Sequence, residues 1–203
     1  MHPNPIYHAT PEGAALAFAA ERGFGTLIAN GDPLPLVAHV PFVLTEGAAE
    51  LHLMRSNPLA RACTAPLPTR LSVMGADSYI SPDWYNLPDQ VPTWKYLATH
   101  LEGRLEPLPP ESLRPHLDRL SAHFESRLAP KPVWQTGKMA PEALDRMMRM
   151  ILPFRLIITA VQTTAKFGQN KPVEARLRAA DGAEAADLGS EVATLAGHMR
   201  ATL

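Results

Sequence analysis

The chain has 203 residues, of which 46% are hydrophobic, and its formal net charge is −1. This length is sufficient for one sizeable hydrophobic core, and the balanced charge excludes a strongly basic protein held on nucleic acid or on a membrane surface by electrostatics. The only cysteine is Cys63, which excludes a disulfide framework and a cluster of thiolate metal ligands.

The N-terminal sequence and the hydropathy pattern show no targeting or membrane signal. Residues 1–5 lack the basic and apolar regions of a signal peptide, and no apolar run approaches the ~20 residues of a membrane span. We therefore expect a cytoplasmic protein without membrane association.

The first half of the chain alternates one helix with short strands. A threonine, a proline and a glutamate at residues 10–12 predict a helix start, and the alanine-rich run continues the helix to Arg22. Three predicted strands follow, at residues 24–29, 36–44 and 49–54, with Gly, Asn and Asp turns between them. Short strands separated by such turns indicate an antiparallel meander.

Prolines and aromatic residues dominate the middle of the chain. Asn57 and Pro58 predict a short helix that ends near residue 65, and strands are predicted at 70–75 and 93–105. Residues 75–96 hold two of the three tryptophans and three of the four tyrosines. We predict that this segment is a stiff, aromatic-lined loop that either binds a flat ligand or covers one end of a barrel.

The last third is predicted to be mainly helical. Apolar residues spaced by three or four indicate helices at 110–129 and 141–152, a strand follows at 154–164, and residues 184–203 resemble an amphipathic helix. We predict one α+β, mainly β domain over residues 1–203, with an antiparallel β-barrel and peripheral helices.

Several blocks of the chain resemble a known family. YISPDWY at residues 79–85 and VPTWKY at residues 91–96 are similar to the YISPSWY and VPTWNY blocks of the PaiB-type family of FMN-binding negative transcriptional regulators. LHLMRSNP at residues 51–58 is similar to the family's GHMARANP, with Leu51 and Met54 as departures. KFGQNK at residues 166–171 is similar to KLSQNR, with Gly168 and Lys171 as departures.

The resemblance implies a split β-barrel that binds FMN, as a homodimer with the cofactor at the subunit interface. It implies phosphate contacts from Arg55, Lys95 and the amides near Asn57, and ring contacts from Trp84, Trp94, His39 and the Gln169–Asn170 pair. The complete predicted cofactor site consists of Thr26, His39, Pro41, His52, Arg55, Asn57, Ser81, Trp84, Thr93, Trp94, Lys95, Lys166, Gln169 and Asn170.

Structural roles remain open for several of these residues. A histidine on a strand is more often structural than functional, but His39 and His52 lie on neighbouring predicted strands, near Arg55 and a helix start. Gln169 and Asn170 could read a flavin pyrimidine ring or tie their own loop to the barrel. No dinucleotide fingerprint, P-loop, nucleophile elbow or metal-ligand spacing is present. A site without a nucleophile or metal set favours an organic cofactor that brings its own reactivity.

Three functions are compatible with this pattern: an FMN-binding transcriptional regulator, a flavin-dependent oxidoreductase acting on a small substrate, or a cofactor-free structural or partner-binding barrel. About a dozen residues join the helices at 110–129 and 141–152, whereas a DNA-binding helix pair has a turn of three or four. Basic residues are dispersed along the chain. We therefore expect direct DNA binding to be weak and without marked sequence preference.

Overall fold

The structure, a computed structural model, describes residues 2–202. The strands in this range are β1 Phe24–Ala29, β2 Leu36–Thr45, β3 Ala48–Met54, β4 Leu67–Ile80, β5 Thr93–Pro107, β6 Ile151–Lys166 and β7 Gly189–Ser190. The α-helices are α1 Glu12–Arg22, α2 Pro58–Ala62, α3 Leu113–Glu125, α4 Pro141–Met148, α5 Val173–Ala186 and α6 Val192–Ala201. Short 3-10 helices lie at Pro5–Tyr7, Pro82–Tyr85, Pro110–Ser112, Ser126–Leu128 and Thr136–Lys138.

The first six strands form a closed antiparallel barrel. Their order is β1-β2-β3-β6-β5-β4, β1 also pairs with β4, and β7 extends the sheet beside β4. Thr26 lies opposite His39 on β2 and opposite Ser72 on β4. Closure leaves neither β1 nor β4 as a free barrel edge. The predicted barrel with peripheral helices is confirmed.

The described residues form two compact units. Unit 1 consists of residues 2–15, 74–99 and 162–202, and unit 2 consists of residues 16–73 and 100–161. Unit 2 has an apolar core made mainly by the inward side chains of its strands, including Leu27, Phe42, Leu71 and Phe154. Unit 1 has a core in which the buried alanines of α5 and α6 pack near Tyr85 and Ile80.

Glycine is required at two positions in unit 2. Gly23 ends α1 with φ +56, and a Cβ there would lie 2.7 Å from the ring of Phe124, so only glycine satisfies both the turn and the packing. On β5, a Cβ at Gly103 would lie 1.8 Å from the carbonyl oxygen of Ile157. Backbone of β6 therefore occupies the place of a side chain at Gly103.

The predicted elements of the first half agree closely with the structure. The strand at 24–29 has the predicted bounds, and the second and third strands differ from them by one residue each. The predicted fourth strand at 70–75 was too short, because β4 continues from Leu67 to Ile80 and leaves only residues 81–92 as the loop. Tyr79 and its neighbours alternate between buried and half-buried, as expected of a strand.

The helical predictions for the second half need correction. The helix predicted at 110–129 is interrupted by 3-10 turns on both sides of α3, and α4 ends at Met148, so that Ile151 begins β6. The helix predicted at 184–203 is interrupted, because residues 184–186 are the end of α5 and α6 begins only at Val192; Leu203 lies outside the described residues. Helix α5 was missed, because its buried face is built from alanines rather than from large apolar residues.

Within residues 2–202, no helix has both the length and the apolar character needed to cross a membrane.

Candidate functional site

A polar pair occupies the outward face of unit 2. Thr26 on β1 and His39 on β2 lie directly opposite each other, and the Thr26 Oγ1 atom is 3.0 Å from His39 Nδ1. Alternation along the strands gives Phe24 and Ile28 the same face as Thr26, and Val37 and Pro41 the same face as His39. The structure therefore brings together three of the predicted site residues, Thr26, His39 and Pro41.

Apolar side chains surround this pair. Phe24 and Val37 have hydrophobic side chains, and each is 54% exposed. Ile28 lines a cleft of about 440 Å³ that also includes Arg70, Glu102 and Thr159, and Arg70 donates a 2.6 Å hydrogen bond to Glu102. A cleft of this size is within the range of organic ligand sites.

Arg55 is exposed at the end of β3, and its orientation is fixed. Its backbone N–H donates to the carbonyl of Met150 at 2.9 Å, and its Nε donates to the carbonyl of Arg149 at 2.6 Å. No acceptor among residues 2–202 is bonded to its two terminal amino groups. The guanidinium is thus held from one side and presents two donors on the other, which is the arrangement that suits a phosphate.

Asn57 serves as the N-cap of the five-residue helix α2. Its Oδ1 accepts a 2.8 Å hydrogen bond from the Leu59 N–H, and Pro58 occupies the first helical position. The amide of Leu59 is therefore already satisfied by the cap. Asn57 fixes the turn that follows Arg55, and its predicted contact with the phosphate stays a prediction.

His52 is part of a pair that the sequence did not reveal. Its Nδ1 lies 3.1 Å from Nε2 of His116 on α3, and His116 Nδ1 lies 3.9 Å from a carboxylate oxygen of Glu50. Arg119, one turn further along α3, donates a hydrogen bond to the same Glu50 oxygen. This group fastens α3 to β3, and His52 has a structural contact in addition to its predicted contact with FMN.

Burial determines the protonation of the histidine pair. His116 is 1% exposed, and burial together with the nearby His52 lowers its pKa to about 4 despite the opposing effect of Glu50. Burial also lowers the pKa of His52. Both imidazoles are consequently neutral near pH 7, and one donates to the other. His116 could have been found from its position three residues after Leu113 and four before Leu120, on the buried stripe of the helix.

The tryptophans of unit 1 have different environments. Trp84 packs against α5 so closely that a Cβ at Gly182 would lie 2.5 Å from its ring. Trp94 is 43% exposed, and its Nε1 donates a 3.0 Å hydrogen bond to Asp77. Ser81 is the N-cap of the 3-10 helix at Pro82–Tyr85. Trp94 is thus the accessible aromatic group, whereas Trp84 supports the packing of unit 1.

Three lysines lie near tyrosine or threonine side chains of unit 1, and Lys171 Nζ is 5.3 Å from the centre of the Tyr85 ring. Lys95 is 2% exposed, and its Nζ lies 6.0 Å from the centre of the Tyr7 ring. Lys166 donates a 2.8 Å hydrogen bond to Thr93, and Lys171 donates one to Gln90. Burial, together with the charges of Lys166 and Lys171, lowers the pKa of Lys95 to about 8.

The loop after β6 satisfies its own amide groups. Gln169 accepts a hydrogen bond from the Phe167 N–H and donates one to the Ala165 carbonyl at 2.5 Å. Asn170 accepts a 3.1 Å hydrogen bond from the Tyr7 hydroxyl. These contacts match the alternative that Gln169 and Asn170 tie their own loop to its surroundings.

The polar groups of unit 2 match the chemistry of the parts of FMN. An oriented guanidinium with two available donors matches a phosphate, and a polar pair flanked by apolar side chains matches a ring with polar edges. The predicted cofactor contacts of unit 1 stay predictions; they concern Ser81, Trp84, Thr93, Trp94, Lys95, Lys166, Gln169 and Asn170.

Comparison with known proteins identifies the family to which the chain belongs. The family described as "Putative FMN-binding domain" matches residues 1–160. The Bacillus subtilis (strain 168) protein "Protease synthase and sporulation protein PAI 2" is 26% identical over 158 residues, which are 76% of this chain and 75% of the relative.

Two solved structures share the fold. The FAD and heme binding protein from Mycobacterium smegmatis has a TM-score of 0.59 at 17% identity, with 80% of this chain and 74% of that chain covered. The flavocytochrome Anf3 from Azotobacter vinelandii has a TM-score of 0.58 at 13% identity, with 83% and 73% covered.

At these identities the two structures show a common fold and nothing further. The family match, in contrast, covers well over half of the chain and confirms both the resemblance found in the sequence and FMN as the cofactor. The chain belongs to the FMN-binding domain family.

Proposed function

We propose that this protein is a homodimeric, FMN-binding regulator of gene expression whose unit 2 holds the cofactor phosphate through Arg55. The proposal rests on one observation. The Arg55 guanidinium is exposed and fixed by the Arg149 carbonyl, while its terminal amino groups are available. Such a group loses little side-chain freedom on binding a phosphate, so the binding free energy is not offset by a large ordering cost.

Unit 2 also offers a surface for the flavin ring. Thr26 and His39 present a hydroxyl and an imidazole beside exposed Phe24 and Val37. Flat heteroaromatic rings bind where apolar faces and a few polar groups are presented together. We assign ring contacts to Thr26, His39 and Pro41, and the phosphate contact to Arg55, with Asn57 fixing the adjoining turn.

The same outward face is the proposed dimer interface. Phe24 and Val37 are half-exposed apolar side chains on neighbouring strands, and Ile28 lies on the same face. Exposed apolar patches on a sheet commonly mark contacts with another protein. A second copy of the chain would remove these side chains from water and would exclude solvent from a ring bound beside Thr26 and His39.

Bound FMN supplies one- and two-electron redox chemistry. The residues of this chain bind and orient the cofactor. Near pH 7 the neutral His52–His116 pair adds no positive charge beside β3, so Arg55 provides the positive charge at that end of the strand.

The regulatory part of the proposal follows the likeness to the Bacillus subtilis relative, whose name refers to protease synthase and sporulation. Unit 2 carries basic residues on and between α3 and α4, but three of them are engaged by carboxylates: Arg114 by Asp118, Arg119 by Glu50 and Lys131 by Glu125. This pairing halves the number of basic side chains in that segment that are available for DNA phosphates. We therefore propose that regulation depends on flavin or on a protein partner rather than on tight binding to an operator.

The test compares FMN binding by the wild type, Arg55→Ala and Arg149→Ala, which should all have the same fold. Wild-type protein should quench the fluorescence of added FMN, Arg55→Ala should bind FMN more weakly, and Arg149→Ala should match the wild type. Arg149→Ala is a matched control because it removes a neighbouring positive charge and keeps the backbone carbonyl that orients Arg55. FMN binding that is equal in all three proteins contradicts the phosphate assignment, and no FMN binding by the wild type contradicts the proposed function.

A further inference from the structure

The cleft of about 440 Å³ in unit 2 lies outside the contacts assigned to FMN. It is located where β1 ends beside the start of β4, and residues of β5 and β6 complete its wall. Strand register places Ile28 opposite Arg70 and Ala29 opposite Thr69. None of the residues that line the cleft is among the proposed contacts of FMN, although its volume is sufficient for a small organic molecule. The cleft is therefore a candidate site for a second ligand.

The charged groups on the cleft wall form a single pair of opposite sign. Among the described residues that line the cleft, only Arg70 and Glu102 are charged, and Arg70 Nη2 donates a 2.6 Å hydrogen bond to Glu102 Oε1. The two threonine hydroxyls of the wall donate to backbone carbonyls. Within residues 2–202, no hydrogen bond engages the other two nitrogen atoms of the Arg70 guanidinium, the second oxygen of Glu102 or the side chain of Asn30. The cleft thus offers unused donors beside an unused acceptor.

Stability does not explain this ion pair. The side chains of Arg70 and Glu102 are 47% and 25% exposed, and ion pairs with this much access to water contribute little to folding because solvent screens them. The pair does fix the geometry of its members, since the carboxylate holds the guanidinium at one amino group. On the same wall, Ile28, Ala29 and Pro68 provide apolar surface. The wall therefore combines an oriented polar edge with an apolar area.

We propose that this cleft binds a small ring compound that carries a primary carboxamide. A carboxamide presents a carbonyl acceptor and an N–H donor side by side, which complements the free donors of Arg70 and the free oxygen of Glu102. The ring of the ligand lies against the apolar part of the wall. Because Ile28 shares the outward face that carries Thr26, the bound compound adjoins the flavin ring. This placement beside the flavin rests on the proposed function.

Charge distinguishes a carboxamide from related ligand classes. A carboxylate would bond to Arg70 but would bring a negative charge beside Glu102, and an ammonium group would bond to Glu102 but would bring a positive charge beside Arg70. A zwitterion carries both charges, and it loses more hydration than an amide in order to reach a pair that water already screens. A neutral donor–acceptor group meets neither the repulsion nor this cost of desolvation.

The experiment measures the binding of benzamide, benzoate and benzylamine to the FMN-loaded protein by titration calorimetry. The three probes share a phenyl ring and differ in the polar group. The wild type should bind benzamide at least about ten-fold more tightly than benzoate or benzylamine, because each charged probe meets a like charge in the cleft. Equal or weaker binding of benzamide overturns the proposal, and so does tighter binding of phenylalanine, a zwitterion with the same ring.

Two substitutions should shift the preference in opposite directions. Glu102→Gln removes the negative charge and should strengthen the binding of benzoate by at least about ten-fold, whereas Arg70→Gln removes the positive charge and should do the same for benzylamine. Arg104→Gln is the matched control, because Arg104 is an exposed residue of β5 that does not line the cleft. Wild-type preferences in both cleft variants overturn the proposal. A misfolded variant cannot imitate the expected result, since each variant gains affinity for one probe.

FMN affinity separates this proposal from the previous one. Arg70→Gln and Glu102→Gln should bind FMN like the wild type, whereas Arg55→Ala should lose FMN affinity and keep its affinity for benzamide. A wild type that binds benzamide but not FMN would contradict the proposed function and support the cleft assignment, and the opposite result would overturn the cleft assignment alone. Benzamide should also change the absorption spectrum of bound FMN, and an unchanged spectrum would contradict the placement of the ligand beside the flavin.

Discussion

Arg55 Nε donates a 2.6 Å hydrogen bond to the carbonyl of Arg149, so the exposed guanidinium at the end of β3 has a fixed direction. The contact joins β3 to the residue that follows α4, both within unit 2. A backbone acceptor cannot be removed by a side-chain substitution at Arg149. The two residues can therefore be tested independently.

Lysine at position 55 should restore part of the affinity for FMN that alanine removes. Arg55→Ala should weaken binding by about 1.5–3 kcal/mol, which is typical of a hydrogen bond to a charged group. Arg55→Lys keeps the charge but loses the two-pronged donor, so its affinity should fall between those of the other two. Fluorescence titration measures all three, and an Arg55→Lys protein as weak as Arg55→Ala would show that charge contributes nothing.

Charged residues on the outward face of unit 2 should separate the dimer. Phe24→Asp combined with Val37→Asp replaces two half-exposed apolar side chains on neighbouring strands. Like charges that face each other across a two-fold interface oppose association. In light-scattering chromatography the wild type should therefore be dimeric and the double variant monomeric. Val91→Asp is the control, because Val91 is 72% exposed and belongs to unit 1. An unchanged dimer in the double variant would contradict the proposed interface.

Acid should destabilise the protein through the His52–His116 pair. The pKa of His116 is about 4 in the folded chain and 6.5 in the absence of burial. Between these values the unfolded chain binds a proton that the folded chain does not, so stability is full above pH 6.5 and falls as the pH decreases towards 4. The loss attributable to His116 is on the order of 3 kcal/mol.

Urea unfolding of wild type and His116→Gln at pH 7.5, 5.5 and 4.0 measures this effect. The variant should be less stable at pH 7.5 and should lose less stability on acidification. His8→Gln, which removes an exposed histidine, should follow the wild type. If the stability of His116→Gln depends on pH in the same way as that of the wild type, other groups cause the acid sensitivity.

Removal of the Lys95 charge should stabilise the folded protein. The pKa of Lys95 is about 8 when folded and 10.5 without burial. Between these values the unfolded chain binds one more proton, so stability rises with pH over this window, while below pH 8 the buried charge lowers stability by a constant amount. Lys95→Met should raise the free energy of unfolding at pH 7 by on the order of 1–3 kcal/mol.

The same variant should also lose the rise in stability between pH 8 and 10.5. Urea unfolding in phosphate-free buffer measures both effects, and Lys138→Met should change stability by less than about 0.5 kcal/mol. A Lys95→Met protein that is less stable than the wild type at pH 7 would mean that the ammonium has a partner in the folded chain.

The strands of the first half could be predicted because local signals determine them. Alternation of buried and exposed residues and the Gly, Asn and Asp turns gave β1 its bounds, and the Asn57-Pro58 pair located the start of α2. Helix α5 carries no such signal. Its buried residues are Ala175, Ala179 and other alanines, whose packing against a partner surface is decided by the tertiary fold rather than by local hydrophobicity.

Long-range contacts explain why the sites were only partly predicted. Lys95 and Lys166 lie 71 positions apart, so their proximity depends on the pairing of strands and not on a local motif. His116 and His52 lie 64 positions apart for the same reason. By contrast, the Thr26–His39 pair follows from the register of two consecutive strands joined by a short turn, which a sequence pattern can indicate.

The ratio of the affinities for FMN and riboflavin tests the central claim most directly, because the two ligands differ only by the phosphate. Fluorescence titrations of wild type and Arg55→Ala with both ligands give this ratio. The wild type should bind FMN more than about ten-fold more tightly than riboflavin. In Arg55→Ala the ratio of the two affinities should approach one, because a charge-assisted hydrogen bond is lost. Equal affinity of the wild type for FMN and riboflavin, or a preference that survives in Arg55→Ala, would contradict a phosphate held by Arg55.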